Sequence, residues 1–377
     1  MPSPAPTAAP TDARFRRRRL AALVLFGLAV LLTAALVRSA CGDDEPPFTG
    51  RLSPPGGGRA YRVTAWNLGK PASIEVAAAA DAIDEVDFVW YLSQADGSVT
   101  TEKEDLDLVR ATRRRGVQAF ATVVNRAPGG AFDGDIAAAI LATEESRSRH
   151  VATLVRLVVD KGYDGLDLDW ELVKPADRDR FSDFVEELAA ALHDKDRLLA
   201  IAVFPKDSEP GRWDTQKAAD YKRLGAAVDE FKVMTYSYSG GWSDPGPQTP
   251  LGWAHEVLAF AESQVPAEKV LMGVPFYGFD WHGETTTAEH WRDADATLRE
   301  LGIEASRDGG SQEATFSYTD GSGVTHTVFF QDRRAIAAKM HVVTRLHPDL
   351  AGVAIWQMYG EDPRFWDVIA KGLRATP

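Results

Sequence analysis

From Tyr61 onward the chain alternates short apolar runs with longer amphipathic ones, and this alternation limits the folds open to it. The short runs are YRVTAW (61–66), DFVWYL (87–92), QAFATVV (118–124), GLDLDW (165–170), LLAIAVF (198–204), FKVMTY (231–236), KVLMGVPF (269–276) and GVAIW (352–356). Each has strand length and is bounded by polar or turn-forming residues. Between them lie stretches such as SRHVATLVRLVVDKG (148–162) and DRDRFSDFVEELAAALHD (177–194), whose apolar residues recur at the three- and four-residue spacing of a helix face. Strands alternating with helices predict an α/β protein, with a (β/α)8 TIM barrel over 61–377 as the leading expectation. A doubly wound open sheet fits the same pattern nearly as well. The interval from Phe276 to Gly352 is too long for one crossover. Within it ATFSYTDGSGVTHTVFF (314–330) alternates about a DGSG turn, which predicts a hairpin in an insertion over about 282–331, between strands seven and eight.

The N-terminal segment has a different composition. Arg16–Arg19 precede eighteen residues without a charge, LAALVLFGLAVLLTAALV (20–37), which end at Arg38. A basic flank before an apolar run of this length predicts a membrane anchor or a signal sequence in residues 1–41, with the rest of the chain outside the cytoplasm. Cys41, the only cysteine, adds a lipoprotein reading, although Arg38 stands where such sites usually carry Leu. Residues 42–60 are rich in Pro and Gly and read as a linker. The net charge of −13 conceals an asymmetry: residues 1–60 hold eight Lys/Arg against four Asp/Glu, leaving 34 against 51, or −17, for the body. Such a body repels polyanions, so nucleic acid is not an expected partner.

The stretch YDGLDLDWE (163–171) poses the sharpest question. Residues two apart on a strand share a face, so Asp167, Asp169 and Glu171 point one way and Leu166, Leu168 and Trp170 the other. Helical segments on both sides imply a strand covered on both faces, with its acids turned into the barrel. Carboxyls packed there repel one another, so at least one holds a proton near neutral pH. Glu171 comes last, nearest the C-terminal mouth where catalysis sits in this fold, and a raised pKa suits a general acid.

These residues resemble glycoside hydrolase family 18, the chitinases and their relatives. DGLDLDWE (164–171) is similar to the family's acidic motif, VMTYS (233–237) to its sixth-strand motif, GVPFYG (273–278) to its seventh, and GVAIWQMYGED (352–362) to its final strand. The run MTYSYSGGWSDPGPQTPL (234–251) most resembles bacterial cell-envelope and spore-cortex members. The resemblance implies retaining hydrolysis of β-1,4 bonds next to N-acetylglucosamine, with the substrate's own acetamido oxygen as nucleophile. It implies that Glu171 protonates the leaving oxygen, Asp169 orients the acetamido N–H, Asp167 tunes Asp169, and Tyr236 donates to the acetamido oxygen. It further implies that Trp356 stacks on the reacting sugar above Met234, with Ser237 bordering that sugar; Tyr277 either lines the cleft or packs, and Trp66 is either core or part of the platform. Trp90, Trp242 and Trp281 are either core or further platform. Ser237 departs from the family pattern, which has Asp after the tyrosine.

The expected partner is thus an N-acetylglucosamine-containing polysaccharide, with the membrane reached through the N-terminal segment and the protein a monomer. No cofactor or metal is expected. A metal-dependent barrel enzyme is disfavoured because none of the eight histidines shows a spacing such as H-x-H or H-x-x-x-H. The alternative in another class is a non-catalytic, chitolectin-like binder of amino-sugar polymers. Relatives of that kind lose the terminal glutamate, which is present here as Glu171.

Overall fold

The computed structural model describes residues 46–79 and 81–374. The apolar run 20–37 and Cys41 lie outside these residues. Among the described residues no helix is long and apolar enough to cross a membrane.

The described residues form fourteen strands: β1 (Arg62–Asn67), β2 (Glu85–Ser93), β3 (Val99–Thr101), β4 (Gln118–Val124), β5 (Gly165–Asp169), β6 (Leu198–Val203), β7 (Glu230–Val233), β8 (Val270–Pro275), β9 (Tyr277–His282), β10 (Thr285–His290), β11 (Ser306–Arg307), β12 (Ala314–Thr319), β13 (Thr325–Phe330) and β14 (Gly352–Trp356). Eight of them pair in parallel in the order β1-β14-β8-β7-β6-β5-β4-β2. β1 pairs with both β14 and β2, which closes the sheet into a (β/α)8 barrel and removes the open-sheet alternative. β3 extends β2 as a short antiparallel strand.

The helices form where the spacing places them. Helix Glu144–Lys161 opens on a Thr143/Ser146 capping box and ends at Gly162, which adopts the left-handed conformation (φ 77°) and turns the chain into β5. Helix Arg178–His193 then covers the outer face of β5. Its Phe184 and Phe181 stack on Trp170 at ring-centre distances of 4.8 and 6.2 Å. Leu166 and Leu168 are fully buried on that face, each contributing about 1.5–3 kcal/mol of hydrophobic stabilisation. The apolar side of β5 therefore meets the helices, and the acids are left to the barrel interior.

The inserted sheet is broader than the expected hairpin. Five antiparallel strands in the order β10-β9-β13-β12-β11 are covered on one face by helix Trp291–Leu301. The hairpin at 314–330 is β12–β13, turned at Asp320–Gly323. The sheet begins at Tyr277 rather than near 282, because β9 follows β8 after a single residue, Phe276.

β7 is shorter than the expected 231–236. After Val233 the backbone tightens: the Thr235 N–H donates to the Val233 carbonyl (2.8 Å) and the Tyr236 N–H to that of Met234 (2.7 Å). Thr235 leaves the barrel ladder because its hydroxyl donates to the Gly273 carbonyl, while its own carbonyl accepts from Thr249 Oγ1. These turns bring Met234, Tyr236 and Ser237 over the barrel mouth.

Candidate active site

The alternation along β5 sends Asp167 to the barrel axis and Asp169 one layer higher, and Glu171 follows in the loop above. Asp167 is fully buried. Its Oδ2 accepts from the Trp66 indole N–H (2.7 Å) and from Thr122 Oγ1 (3.0 Å), and its Oδ1 lies 3.3 Å from Lys232 Nζ. Asp169 is 4 % exposed, and its Oδ1 has no hydrogen-bond partner among the described residues. Burial, reinforced by Glu171 and Asp167, holds its carboxyl well above the usual range. Glu171 is half-buried, and burial pushes its pKa up to about 7. A carboxyl poised there can give and take back a proton near neutral pH.

The Glu171 backbone is clamped by Asn125 at the end of β4. Asn125 Oδ1 accepts from the Glu171 N–H (2.8 Å), and Asn125 Nδ2 donates to the Glu171 carbonyl (2.7 Å). Leu172 follows with φ 57°, a left-handed conformation that is strained for a branched side chain. Its carbonyl sits where a Cβ on Gly134 would stand, 2.1 Å away, so only glycine fits at 134. The Glu171 backbone is thus held from both sides of its peptide unit.

Beneath the acids lies a buried ionic layer. Lys232 Nζ donates to Asp87 (2.7 Å) and Glu85 (3.1 Å) and also faces Asp167 and Glu230. Arg62 pairs with Glu85 (2.7 Å) and Glu230 and also donates to Gln118. Two cations cannot neutralise this many acids in a dry interior, so some acids keep their protons. Burial, with Glu85 nearby, pushes Glu230 up to about 8, and burial drives Asp87 well above its ordinary range. Burial also opposes ionisation of Glu85, but Lys232 and Arg62 outweigh it and hold that carboxyl at about 2.

The opposite wall comes from the turn after β7, from β9 and from the end of β14. Met234, Tyr236 and Tyr277 pack together, with Phe204, Phe279 and Trp356 against them. Tyr236 approaches closely because residue 273 is glycine: a Cβ there would lie 2.8 Å from Tyr236 Cε1 and 2.5 Å from the Val233 carbonyl. Burial keeps the Tyr236 hydroxyl protonated, so it remains a donor. Ser237, at φ 57°, shares a 2.6 Å hydrogen bond with the Tyr277 hydroxyl. Trp356 is partly exposed at the mouth, and Trp66 meets it edge-on at 5.6 Å.

Trp66 does not extend the aromatic platform. It is 1 % exposed, and its indole N–H is engaged by Asp167, so it supports the site from below. Trp90 is equally buried. Trp281 is mostly buried and donates to the Gly240 carbonyl, while Trp242 is exposed. Asp164 is structural, accepting from Arg113 Nε and the Ala119 N–H.

The sequence reading missed Asn125, Thr122 and the ionic layer. A signal was available: Glu85 and Asp87, like Glu230 and Lys232, are charged residues two apart in otherwise apolar strands, the same spacing that turns Asp167 and Asp169 into the barrel.

Comparison with known proteins gives the same reading. The profile of glycosyl hydrolases family 18 matches residues 73–362. The chain is 29 % identical over 246 residues to the uncharacterized glycosylase YvbX of Bacillus subtilis, a match spanning 64 % of this chain and 71 % of YvbX. It is also 29 % identical over 246 residues to the cortical fragment-lytic enzyme of B. subtilis, spanning 63 % of this chain and 56 % of that enzyme. The structure superposes with a TM-score of 0.78 on a chitinase from Chromobacterium violaceum, at 30 % identity, covering 84 % of this chain and all of the other. A closed (β/α)8 barrel, an inward row of three acids ending in a proton-holding glutamate, and these likenesses lead to one conclusion: the chain belongs to glycosyl hydrolase family 18 and is a glycoside hydrolase.

Proposed function

We propose that the protein cleaves β-1,4 bonds next to N-acetylglucosamine in chitin-like or peptidoglycan-type polymers, with retention and through the substrate's own acetamido group. The observation that carries this reading is the graded state of the β5 acids. Burial pushes Glu171 up to about 7 and holds Asp169 well above its ordinary range, and Asp169 has a buried oxygen that lacks a partner among the described residues.

In this mechanism the Glu171 proton passes to the glycosidic oxygen as the C1–O bond breaks. The acetamido oxygen attacks C1 from the opposite face and closes an oxazolinium ring. Asp169, passing its proton down to Asp167, accepts the acetamido N–H and offsets the positive charge that develops on the ring. The Tyr236 hydroxyl donates to the acetamido oxygen and aligns it. Glu171, now a carboxylate, takes a proton from water as that water attacks C1 and reopens the ring. Trp356 supports the apolar face of the sugar above Met234, and Tyr277 and Ser237 border the acetamido side.

The protein would act as a monomer outside the cytoplasm, tethered by residues 20–37 or released after their removal. The names of the chitinase and cortex-lytic relatives support a wall-type polymer. The test is an assay of the chain against N-acetyl-chitooligosaccharides and purified peptidoglycan. Cleavage of either supports the reading and names the polymer, whereas binding without turnover of both favours the chitolectin alternative.

Ser237 sets an expectation for pH. The general acid must be protonated, so kcat/KM should fall as pH rises through about 7, the Glu171 value. Ser237→Asp places a carboxylate at the cleft border, and Asp tolerates the left-handed backbone there. Repulsion should raise the Glu171 pKa and move the upper limb of the pH–rate profile to higher pH by about one unit. An unmoved limb would show that residue 237 does not act electrostatically on Glu171.

A further inference from the structure

The inserted sheet carries a cluster that the glycosidase reading does not use. Asp280 and His282 lie two apart on β9 and share a face, and the β13 register places His326 directly opposite His282. One ligand atom from each residue lies within 4.8 Å of the others. His326 Nδ1 is 2.7 Å from Asp280 Oδ2, and His282 Nδ1 stands 3.4 Å from that same oxygen. The two imidazoles stack at 4.8 Å, and Tyr318 stacks on the outer face of His326 at 4.5 Å.

Two features go beyond an ordinary histidine–aspartate pair. Asp280 is 8 % exposed, yet its Oδ1 is buried with no hydrogen-bond partner among the described residues, and the same holds for His282 Nδ1. Such orphaned atoms cost stability and call for a partner. In addition, His326 Nε2 faces Asp320 Oδ2 at 3.7 Å. In the metal-free cluster the 2.7 Å approach has His326 Nδ1 donating to Asp280; an ion that displaces this proton leaves His326 protonated on Nε2, the side that Asp320 faces.

We propose that Asp280, His282 and His326 form a binding site for a borderline divalent transition-metal cation, best represented by Zn2+. Two imidazoles and one carboxylate suit such an ion better than Mg2+ or Ca2+, which prefer all-oxygen shells. At zinc bond lengths, tetrahedral ligand atoms stand about 3.4 Å apart, close to the spacing of His282 Nδ1 and Asp280 Oδ2. A fourth position remains for water or for Glu289, which lies on the same face of β10. The histidines are 44 residues apart in the chain and meet only across strands, which is why no close-paired spacing announces them.

The site has a structural consequence. The other face of β9 presents Tyr277, Phe279 and Trp281, and Tyr277 and Phe279 pack with Met234 and Tyr236. An ion binding β9 to β13 therefore fixes the strand that forms one wall of the cleft.

The test uses the full chain, free of any affinity tag and stripped with chelator, titrated calorimetrically with ZnCl2 and, separately, MgCl2. The expected result is one equivalent of Zn2+ and no Mg2+. Affinity should fall at least 100-fold in His282→Asn/His326→Asn and about tenfold in Asp320→Asn. Absence of stoichiometric Zn2+ binding, or full affinity in the double variant, would overturn the site. Should the double variant fail to fold, Co2+ loaded into the wild-type chain decides. Intense tetrahedral visible bands support the site, and a weak octahedral spectrum overturns it. No readout depends on glycosidase activity, so the outcome is independent of the proposed reaction.

Discussion

Replacing Glu171 with Gln is expected to lower kcat by about 10²–10⁴-fold, the range supplied by a positioned general acid and base. Gln keeps the shape of the side chain and a hydrogen-bonding end, but it can neither release a proton to the leaving oxygen nor take one from water. The Asn125 clamp holds the backbone, not the side chain, so the position of residue 171 should persist. KM should change little, because the lost interaction belongs to the transition state. Folding stability at neutral pH should not fall. A carboxyl whose folded pKa is raised contributes stability that is present below its unfolded value of 4.5 and lost as pH rises through about 7, and Gln avoids that loss. Steady-state kinetics with a thermal melt check both parts. Activity within tenfold of wild type would remove Glu171 from the role assigned to it.

Lys232→Met is expected to give the largest loss of stability, about 3–5 kcal/mol at neutral pH. Methionine fills a similar volume, yet it leaves Glu85, Asp87, Asp167 and Glu230 without the cation they all face. In the wild type Glu85, held at about 2, contributes stability above its unfolded value of 4.5, and this is lost as pH falls through about 2. Glu230, raised to about 8, behaves oppositely: its contribution is present below 4.5 and lost as pH rises through about 8. Without Lys232 the folded-state pKa values of the acids rise, and each becomes a group that destabilises as it ionises. The deficit of the variant should therefore be widest near pH 7–8 and narrow towards pH 4–5, where the acids are protonated. Denaturant melts at both ends of this range check the sign. A deficit independent of pH would mean that lost packing, not charge, dominates.

The barrel was legible because its signals are local. Alternation in GLDLDWE places Asp167 and Asp169 inward whatever the surroundings, and capping at Thr143 and Gly162 sets the helix that delivers β5. Closure was not legible. It depends on β1 meeting β14 across nearly 300 residues, which no short window encodes. Trp66 stayed open between core and platform for a related reason. An aromatic near the end of a barrel strand can face the mouth or the axis, and the choice rests on the 2.7 Å bond to Asp167, a partner about 100 residues away. The ionic layer and the Asp280–His282–His326 cluster are products of strand register, so neither has a linear motif. β7 was read too long because FKVMTY has strand composition throughout, whereas hydrogen bonds from Thr235 and Thr249 end the ladder at Val233.

The most direct test of the central claim is the anomeric configuration of the first product. Proton NMR of N-acetyl-chitopentaose or purified glycan strands during the first minutes of cleavage reads it before mutarotation blurs it. Substrate-assisted catalysis by Glu171 and Asp169 predicts the β-anomer first, with the α-anomer appearing only later. An initial α-anomer, or no cleavage of either substrate by the folded protein, would contradict the account.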